Sequence, residues 1–599
     1  MRTILPRLGA GLIAVALVIV SCTESSDPEL KSAPGPSVSA SSPEVVPTPA
    51  PLEFEDTPTA RIDVVVRGRT VVFNGRRSEP TEPGGKVTHF EWRSDPEHPA
   101  DLTTAAGAPF KKASGPDLTL TAPANDGEYY VALEVTDGGG SDVAKTYFAV
   151  EEGTPRVVDH DNEHPRWIDT AVIYAPIPEL WGNGGPRSVT KRLPYLKELG
   201  VDALWLWPPI SERATGEQYA ITDHFKLDPS WGPEPAFREM VDEAHRLGMK
   251  VLADVVPNHM SVESDYFKHA QAYGEESPWW DFFDRKPNGE FTHYFDWTHL
   301  PNLNFDNPKV RRMIDEAFAF WVGDLGLDGF RVDAAWAVKL RRPDYWMKWR
   351  RDLKRIEPDL MLIAEAPAVD PYYFKNGFDI GYDWSIEPGQ WAWGSVFEFP
   401  REAAALLQGA LTNGGKGHPD EAVVMRFLNN NDTGIRFVDQ HGPELTRVAA
   451  TMQFTVPGIP ALFAGDEIGA SYEPYSNLTP LPWRDRFNLR GFYDRLIALK
   501  HEQPALSAAS RRMTLLTTDS SSAIAYLRPA GDDPNNALLV ILNYGGKGKM
   551  TIEMTPEVQA LLAGPLVDHL TGTPIALDVN GNRATLRYDA LSSFVIGRV

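Results

Sequence analysis

At 599 residues, with 58 basic against 82 acidic side chains and a net charge of −24, the chain has room for several domains or one large barrel with additions. With 42% hydrophobic residues and a single cysteine, it is neither a disordered chain nor a disulfide scaffold. An acidic surface repels phosphate backbones, and no run of Lys or Arg beyond the first few residues offers a local exception, so the composition argues against a nucleic-acid partner and for a neutral or cationic one.

At the N-terminus, Arg2 and Arg7 flank the start of an apolar run from Leu8 to Val20 that is too short to span a bilayer, which predicts an export signal over residues 1–22. The signal ends Ile19-Val20-Ser21-Cys22, which resembles the lipobox of bacterial lipoproteins. That resemblance implies acylation at Cys22, the only thiol, and a protein held outside the cytoplasm on a bacterial membrane, at the cell surface or on the periplasmic face. Residues 23–57 are rich in Ser, Pro and Glu and predict an extended tether.

From 58 to 152 short alternating apolar runs recur between turn clusters such as Asn74-Gly75 and Gly138-Gly139-Gly140, which predicts a small antiparallel β-sandwich. The stretches Phe73-Asn74-Gly75, His89-Phe90-Glu91-Trp92 and Tyr129-Tyr130-Val131 resemble a PKD-type immunoglobulin-like domain, which implies a spacer or a weak glycan contact.

Between 160 and 506 the period changes. Eight apolar strands are predicted, at 172–177, 203–207, 251–255, 329–332, 360–364, 378–382, 423–428 and 461–464. Amphipathic helical stretches fall between them, at 189–199, 235–247, 310–325, 344–356, 403–411 and 446–454. The fold class is therefore α/β, a (β/α)8 TIM barrel with flanking β-sandwiches. An excursion over 259–307, with Trp279-Trp280, Phe282-Phe283 and Tyr294-Phe295, interrupts the barrel after its third strand and is expected to cap one side of the mouth. Residues 507–599 return to strands and predict a C-terminal β-sandwich.

A barrel of this kind gathers the C-terminal ends of its strands at one mouth. Four strands end in acids there, Asp254, Asp333, Glu365 and Asp432, and such a cluster repels itself unless it binds a polyol, a cation or a metal. Asp333 and Glu365 lie on consecutive strands, and neighbouring carboxylates about 5–5.5 Å apart suit a retaining glycosidase, one ionised as nucleophile and the other protonated as acid/base. Arg331, two residues before Asp333 on the same strand face, favours its ionised form. Glu365 has no cation near it in sequence, which predicts a raised pKa. The assignment that follows is Asp333 as nucleophile and Glu365 as acid/base.

Four motifs in order make the barrel resemble the α-amylase family of glycoside hydrolases: Asp254-Val255-Val256-Pro257-Asn258-His259, Gly329-Phe330-Arg331-Val332-Asp333, Ala364-Glu365, and Phe427-Leu428-Asn429-Asn430-Asn431-Asp432. The resemblance implies that Asp432 is the third catalytic carboxylate, which grips sugar hydroxyls and helps distort the ring, and that Tyr219 forms a stacking platform. It further implies that Asp254, His259, Arg331 and Asn431 line the substrate site, His259 and Arg331 hydrogen-bonding the sugar hydroxyls or the nucleophile, and that Ala334 goes with a preference for α-1,4 bonds. Asn431 departs from the family's usual His, and Trp336 stands where many members carry Lys or His. Structural calcium is common in the family and Asn258 matches one usual ligand; no cofactor is required for the chemistry, and the metal is left open.

These features imply a membrane-tethered retaining hydrolase of α-1,4-linked glucans such as starch, maltodextrin or cyclodextrin. The same residues serve a transglycosylase, or, with the barrel kept as a lectin, a glycan-binding protein. A metal-dependent barrel hydrolase calls for a His-rich mouth, and only His259 qualifies. Nothing in the pattern speaks to oligomeric state.

Overall fold

A computed structural model describes residues 46–599 apart from 55, 95–97, 183, 210–218, 385–392, 394–395, 400–401, 477 and 532. The expected export signal, Cys22 and the expected tether up to residue 45 lie outside the described residues. No helix among the described residues is long and apolar enough to cross a membrane.

Eight parallel strands close into a barrel: β1 (Ile173–Ala175), β2 (Ala203–Leu206), β3 (Lys250–Val255), β4 (Gly329–Val332), β5 (Met361–Pro367), β6 (Ile380–Tyr382), β7 (Val423–Arg426) and β8 (Ile459–Phe463). Closure is made by β1 on β8, with Ile173 opposite Ala461. Almost every strand residue is buried, as expected of strands covered inside by neighbouring side chains and outside by helices. Gly329 sits at φ +153° with the Met361 carbonyl so close that a Cβ would meet it at 2.1 Å, so β4 enters the barrel at a position only glycine fills.

The N-terminal sandwich sets a four-stranded sheet (Asp63–Arg67, Thr70–Asn74, Asp117–Thr121, Thr103–Thr104) against a five-stranded one (Lys112–Ser114, His89–Ser94, Gly127–Asp137, Gly140–Glu151, Thr154–Val157). Trp92, Phe73, Tyr129 and Phe148 fill its core. The strand Thr154–Val157 pairs with Gly140–Glu151, so the sandwich runs five residues beyond 152. It seats on the barrel through polar contacts. Tyr130 Oη donates to Asp359 at 2.6 Å, Lys145 pairs with Glu357 at 2.8 Å, and Arg355 pairs with Asp142 at 2.5 Å.

The expected tether to residue 57 ends earlier. Leu52 and Phe54 pack on the barrel core, the Arg312 guanidinium lies over the Phe54 ring, and Arg312 pairs with Asp56 at 2.7 Å. The apolar surface that Leu52 and Phe54 bury lays this part of the chain along the barrel instead of in water.

After the barrel, the helix Arg490–Glu502 leads into a six-stranded sheet and a three-stranded one. Ile524, Tyr526, Val540, Leu542 and Tyr544 of that sandwich belong to the same apolar cluster as the barrel.

Candidate active site

The register of the barrel builds one side of the mouth. Asp254 on β3 stands beside Arg331 on β4, Arg331 stands beside Ile363 on β5, and two residues further along the strands come Asp333 and Glu365. Arg331 is fully buried, and its fork serves three carboxylates. Nη1 donates to Asp254 Oδ1 and Oδ2 at 2.9 and 3.1 Å and to Asp333 Oδ1 at 3.0 Å, while Nη2 lies 2.8 Å from Glu365 Oε1. Nε donates to Tyr382 Oη at 2.8 Å. The expected repulsion among strand-end acids is met here by a single cation held between them.

One guanidinium does not neutralise three buried carboxylates, so protons are retained. Burial, opposed by Arg331, pushes Asp254 and Asp333 up to about 7. Burial and the neighbouring acids push Glu365 well above the carboxylate range even with Arg331 beside it. The raised pKa expected of Glu365 therefore holds, but not for want of a cation: the cation arrives from β4, and burial outweighs it.

Asp333 Oδ2 is buried with no hydrogen-bond partner among the described residues, while Oδ1 is tied to Arg331. Immediately after it, Ala334 adopts a left-handed conformation (φ 48°, ψ 34°), unusual for a residue with a Cβ. That turn aims the Ala334 N–H at Glu365 Oε2, 2.6 Å away, and starts the helix Ala335–Arg341.

The other side of the mouth comes from loops. After β7, Asn430 Oδ1 accepts from the N–H groups of Asp432 and Thr433 at 2.9 and 3.0 Å, a side-chain turn that presents Asn431 and Asp432. Asn431 Nδ2 reaches Tyr475 Oη at 2.9 Å, Asp432 Oδ1 at 3.1 Å and Tyr219 Oη at 3.2 Å. Tyr475 Oη donates to Asp432 Oδ1 at 3.0 Å. Asp432 is exposed, whereas Asn431 is buried and its Oδ1 has no partner among the described residues.

Two expected substrate contacts are redirected, and a third meets the nucleophile instead of sugar. Asp254 is fully buried with both oxygens taken by Arg331 and, at 3.0 Å, by the Tyr219 hydroxyl, so it positions the site and offers no surface to a ligand. His259 is also fully buried: Asn258 Nδ2 donates to its Nδ1 at 3.0 Å, and its Nε2–H donates to the Tyr219 carbonyl at 3.1 Å. Burial lowers its pKa to about 3, so it is a neutral brace for the Tyr219 loop. Arg331 makes the other of its two expected contacts: it donates to the nucleophile Asp333 and has no exposed surface for sugar hydroxyls. Tyr219 stays half-buried at the mouth, its hydroxyl also accepting from Trp207 Nε1 at 2.9 Å.

The residues around Asn258 do not fit calcium. Its Oδ1 accepts from Arg341 Nη2 at 2.6 Å, and its carbonyl accepts from Leu303 N–H at 3.0 Å. Its Nδ2 also donates to Asn302 Oδ1 at 3.2 Å. Arg341, its pKa lowered by burial to about 10, places its own cation where a metal would need an oxygen.

Tyr475, Trp207 and Tyr382 complete the site without having been singled out in the sequence. Tyr382 ends a predicted strand, which is the one signal that could have found it; Tyr475 lies in an irregular loop with none.

Residues 169–491 match the family described as "Alpha amylase, catalytic domain". The chain is 31% identical over 472 residues to the alpha-amylase MalA of Haloarcula japonica, covering 77% of this chain and 66%, just under two thirds, of that protein. It is 27% identical over 481 residues to neopullulanase 2 of Thermoactinomyces vulgaris, covering 72% of this chain and 80% of that one. In three dimensions it resembles the noncanonic maltogenic alpha-amylase of Thermotoga neapolitana, with a TM-score of 0.60 at 21% identity over 72% of this chain and 99% of that one.

Proposed function

The chain belongs to the α-amylase catalytic-domain family of glycoside hydrolases, and from that premise we propose that it cleaves α-1,4-glucosidic bonds in starch, maltodextrin or cyclodextrin-type glucans with retention of configuration. The observation that carries the reading is the division of labour at Arg331: one guanidinium holds Asp333 and Glu365 on adjacent nitrogens and leaves Asp333 Oδ2 without a partner among the described residues. Two carboxylates bound to one fork are held as neighbours, in keeping with the short spacing that double displacement calls for.

In this scheme Asp333 Oδ2 attacks the anomeric carbon as the glycosidic C–O bond breaks, and the Glu365 proton passes to the departing oxygen. Water then attacks the same carbon, gives its proton to Glu365 and releases Asp333. Burial raises Glu365 well above the carboxylate range, the direction that an acid/base group holding a proton requires. Asp432 and the Asn431 amide bind hydroxyls of the sugar at the cleavage point, and Tyr219 flanks its ring.

The reading includes the location. An export signal ending at an acylated Cys22 would anchor the enzyme outside the cytoplasm, with a PKD-like sandwich between anchor and barrel; palmitate labelling that is lost in Cys22→Ser tests it. The catalytic reading is tested with maltoheptaose and the protein lacking residues 1–22. α-Anomeric shorter products by NMR, absent with Asp333→Asn, support it; β-anomeric products contradict retention, and products longer than the substrate move the activity to transglycosylation.

A further inference from the structure

Between the two sides of the mouth stands a hydroxyl that the catalytic scheme does not use. Tyr219 Oη has three polar neighbours, each from a different part of the barrel. Trp207, directly after β2, reaches it through Nε1 at 2.9 Å, Asn431 after β7 through Nδ2 at 3.2 Å, and Asp254 Oδ2 on β3 lies 3.0 Å away. An indole N–H donates and never accepts, whereas an ionised carboxylate only accepts. The phenol oxygen therefore receives the indole hydrogen, and its own hydrogen goes to Asp254.

The same reasoning orients the Asn431 amide. Tyr475 Oη gives its hydrogen to Asp432 Oδ1 at 3.0 Å. The atoms around Asn431 Nδ2, namely Tyr475 Oη at 2.9 Å, Asp432 Oδ1 at 3.1 Å and Tyr219 Oη, are thus all acceptors towards it. An NH2 group brings two hydrogens to such a set, where one imidazole nitrogen brings a single hydrogen at most. That difference gives asparagine a physical reason to stand at 431. Its Oδ1, without a partner among the described residues, is the amide atom left for a sugar hydroxyl. Trp207 is held from both sides: it is 6% exposed, with Phe463 of β8 at 6.3 Å and the Tyr475 ring edge-on at 5.5 Å.

We propose that Trp207 is a positioning residue of the reaction: with the Asn431 amide it fixes the Tyr219 hydroxyl hydrogen on Asp254, and so couples the Asp432 loop to the carboxylates around Arg331. The inference rests on the glucan-hydrolase reading. A hydroxyl donating to Asp254 favours its ionised form, and ionised Asp254 shares the guanidinium that also holds Asp333 and Glu365. The charges facing Asp254 are Arg331 on β4 with Asp333 and Glu365 beyond it, and Asp432 faces Asp333 across the mouth. None of these changes when Trp207 does. Without the indole hydrogen the hydroxyl is released to turn away from Asp254, and the Asp254–Asp333 pair takes up its proton at higher pH.

The test is a double-variant cycle on maltoheptaose of Trp207→Phe, which keeps a ring in place, and Tyr219→Phe. Trp207→Phe should lower kcat about fivefold, the worth of one neutral hydrogen bond, and move the acidic limb of kcat/KM to higher pH. Added to Tyr219→Phe it should change kcat less than twofold, because the hydroxyl through which it acts is gone. An unchanged kcat, an unmoved acidic limb or losses that multiply in the double variant overturn the proposal. Should the parent turn over no glucan, the hydrolase reading fails separately, and NMR of the isotope-labelled indole N–H groups decides the relay. The resonance that disappears in Trp207→Phe should move upfield in Tyr219→Phe and shift in Asp254→Asn, a residue the indole does not touch; a resonance unmoved by Tyr219→Phe overturns it.

Discussion

The two sides of the barrel mouth are built on opposite principles. The side formed by β3, β4 and β5 is buried, charged and held by strands: Asp254, Asp333 and Glu365 surround a guanidinium with no exposed surface. The facing side is formed by the loops after β7 and β8 and holds an exposed Asp432 against a neutral amide and a tyrosine that is 60% exposed. Groups that must meet reacting atoms within a fraction of an ångström sit on the rigid scaffold, and groups that grip hydroxyls sit where a sugar can adjust them.

The largest expected effect falls on the strand side. Asp333→Asn should lower kcat on maltoheptaose by about 10⁴-fold or more, and Glu365→Gln by about 10²–10⁴-fold, with the fold retained in both. Arg331→Met should act on stability as well as rate, because it strands three buried carboxylates; a loss of about 3–5 kcal/mol is expected, seen as a fall in Tm that deepens with rising pH. On the loop side, Asp432→Asn leaves Tm within about 2 °C and costs about 10–100-fold in kcat/KM, the worth of a charge-assisted hydrogen bond. Tyr475→Phe removes one neutral hydroxyl and should cost about tenfold or less. Equal losses from Arg331→Met and Tyr475→Phe would erase the contrast between the two sides.

The pH dependence of stability separates them more finely. Asp254 and Asp333 have folded pKa values near 7, above the ~4 of an unfolded chain, so the folded state keeps protons that the unfolded state releases. Their contribution to stability is full below pH ~4 and is lost as pH rises through about 7. Asp333→Asn should therefore raise Tm above that of the parent at pH 8 and change it less at pH 5. In activity, the acidic limb of kcat/KM in the parent falls as pH drops below about 7, where the Asp254–Asp333 pair takes up its proton.

The strand side was legible in the sequence because strands place residues by count: Asp254, Arg331, Asp333 and Glu365 lie at strand ends that apolar runs mark. What counting missed is set by the third dimension. The cation for Glu365 comes from the next strand, and Asn258 is answered by Arg341, 83 residues away. The helix Ala335–Arg341 went unread because it opens on a left-handed alanine with no capping side chain. The strands Thr103–Thr104 and Lys112–Ser114 are too short for alternation to register, though Leu118 and Leu120 of Asp117–Thr121 do alternate into the core. The helix predicted over 446–454 extends over Phe437–Thr455 with a break at Gly442, where Gly-Pro reads as a start. On the loop side only Asn431 and Asp432 were found, through their motif, and Tyr475 had no periodicity to announce it.

The unpartnered oxygen of Asp333 is the centre of the account, and a covalent trap reads it directly. Incubation with a fluorinated maltosyl fluoride whose glycosyl-enzyme hydrolyses slowly, followed by proteolysis and mass spectrometry, should find one maltosyl adduct, on Asp333. An adduct on Glu365 or Asp432, or steady turnover with inversion and no adduct, would contradict it.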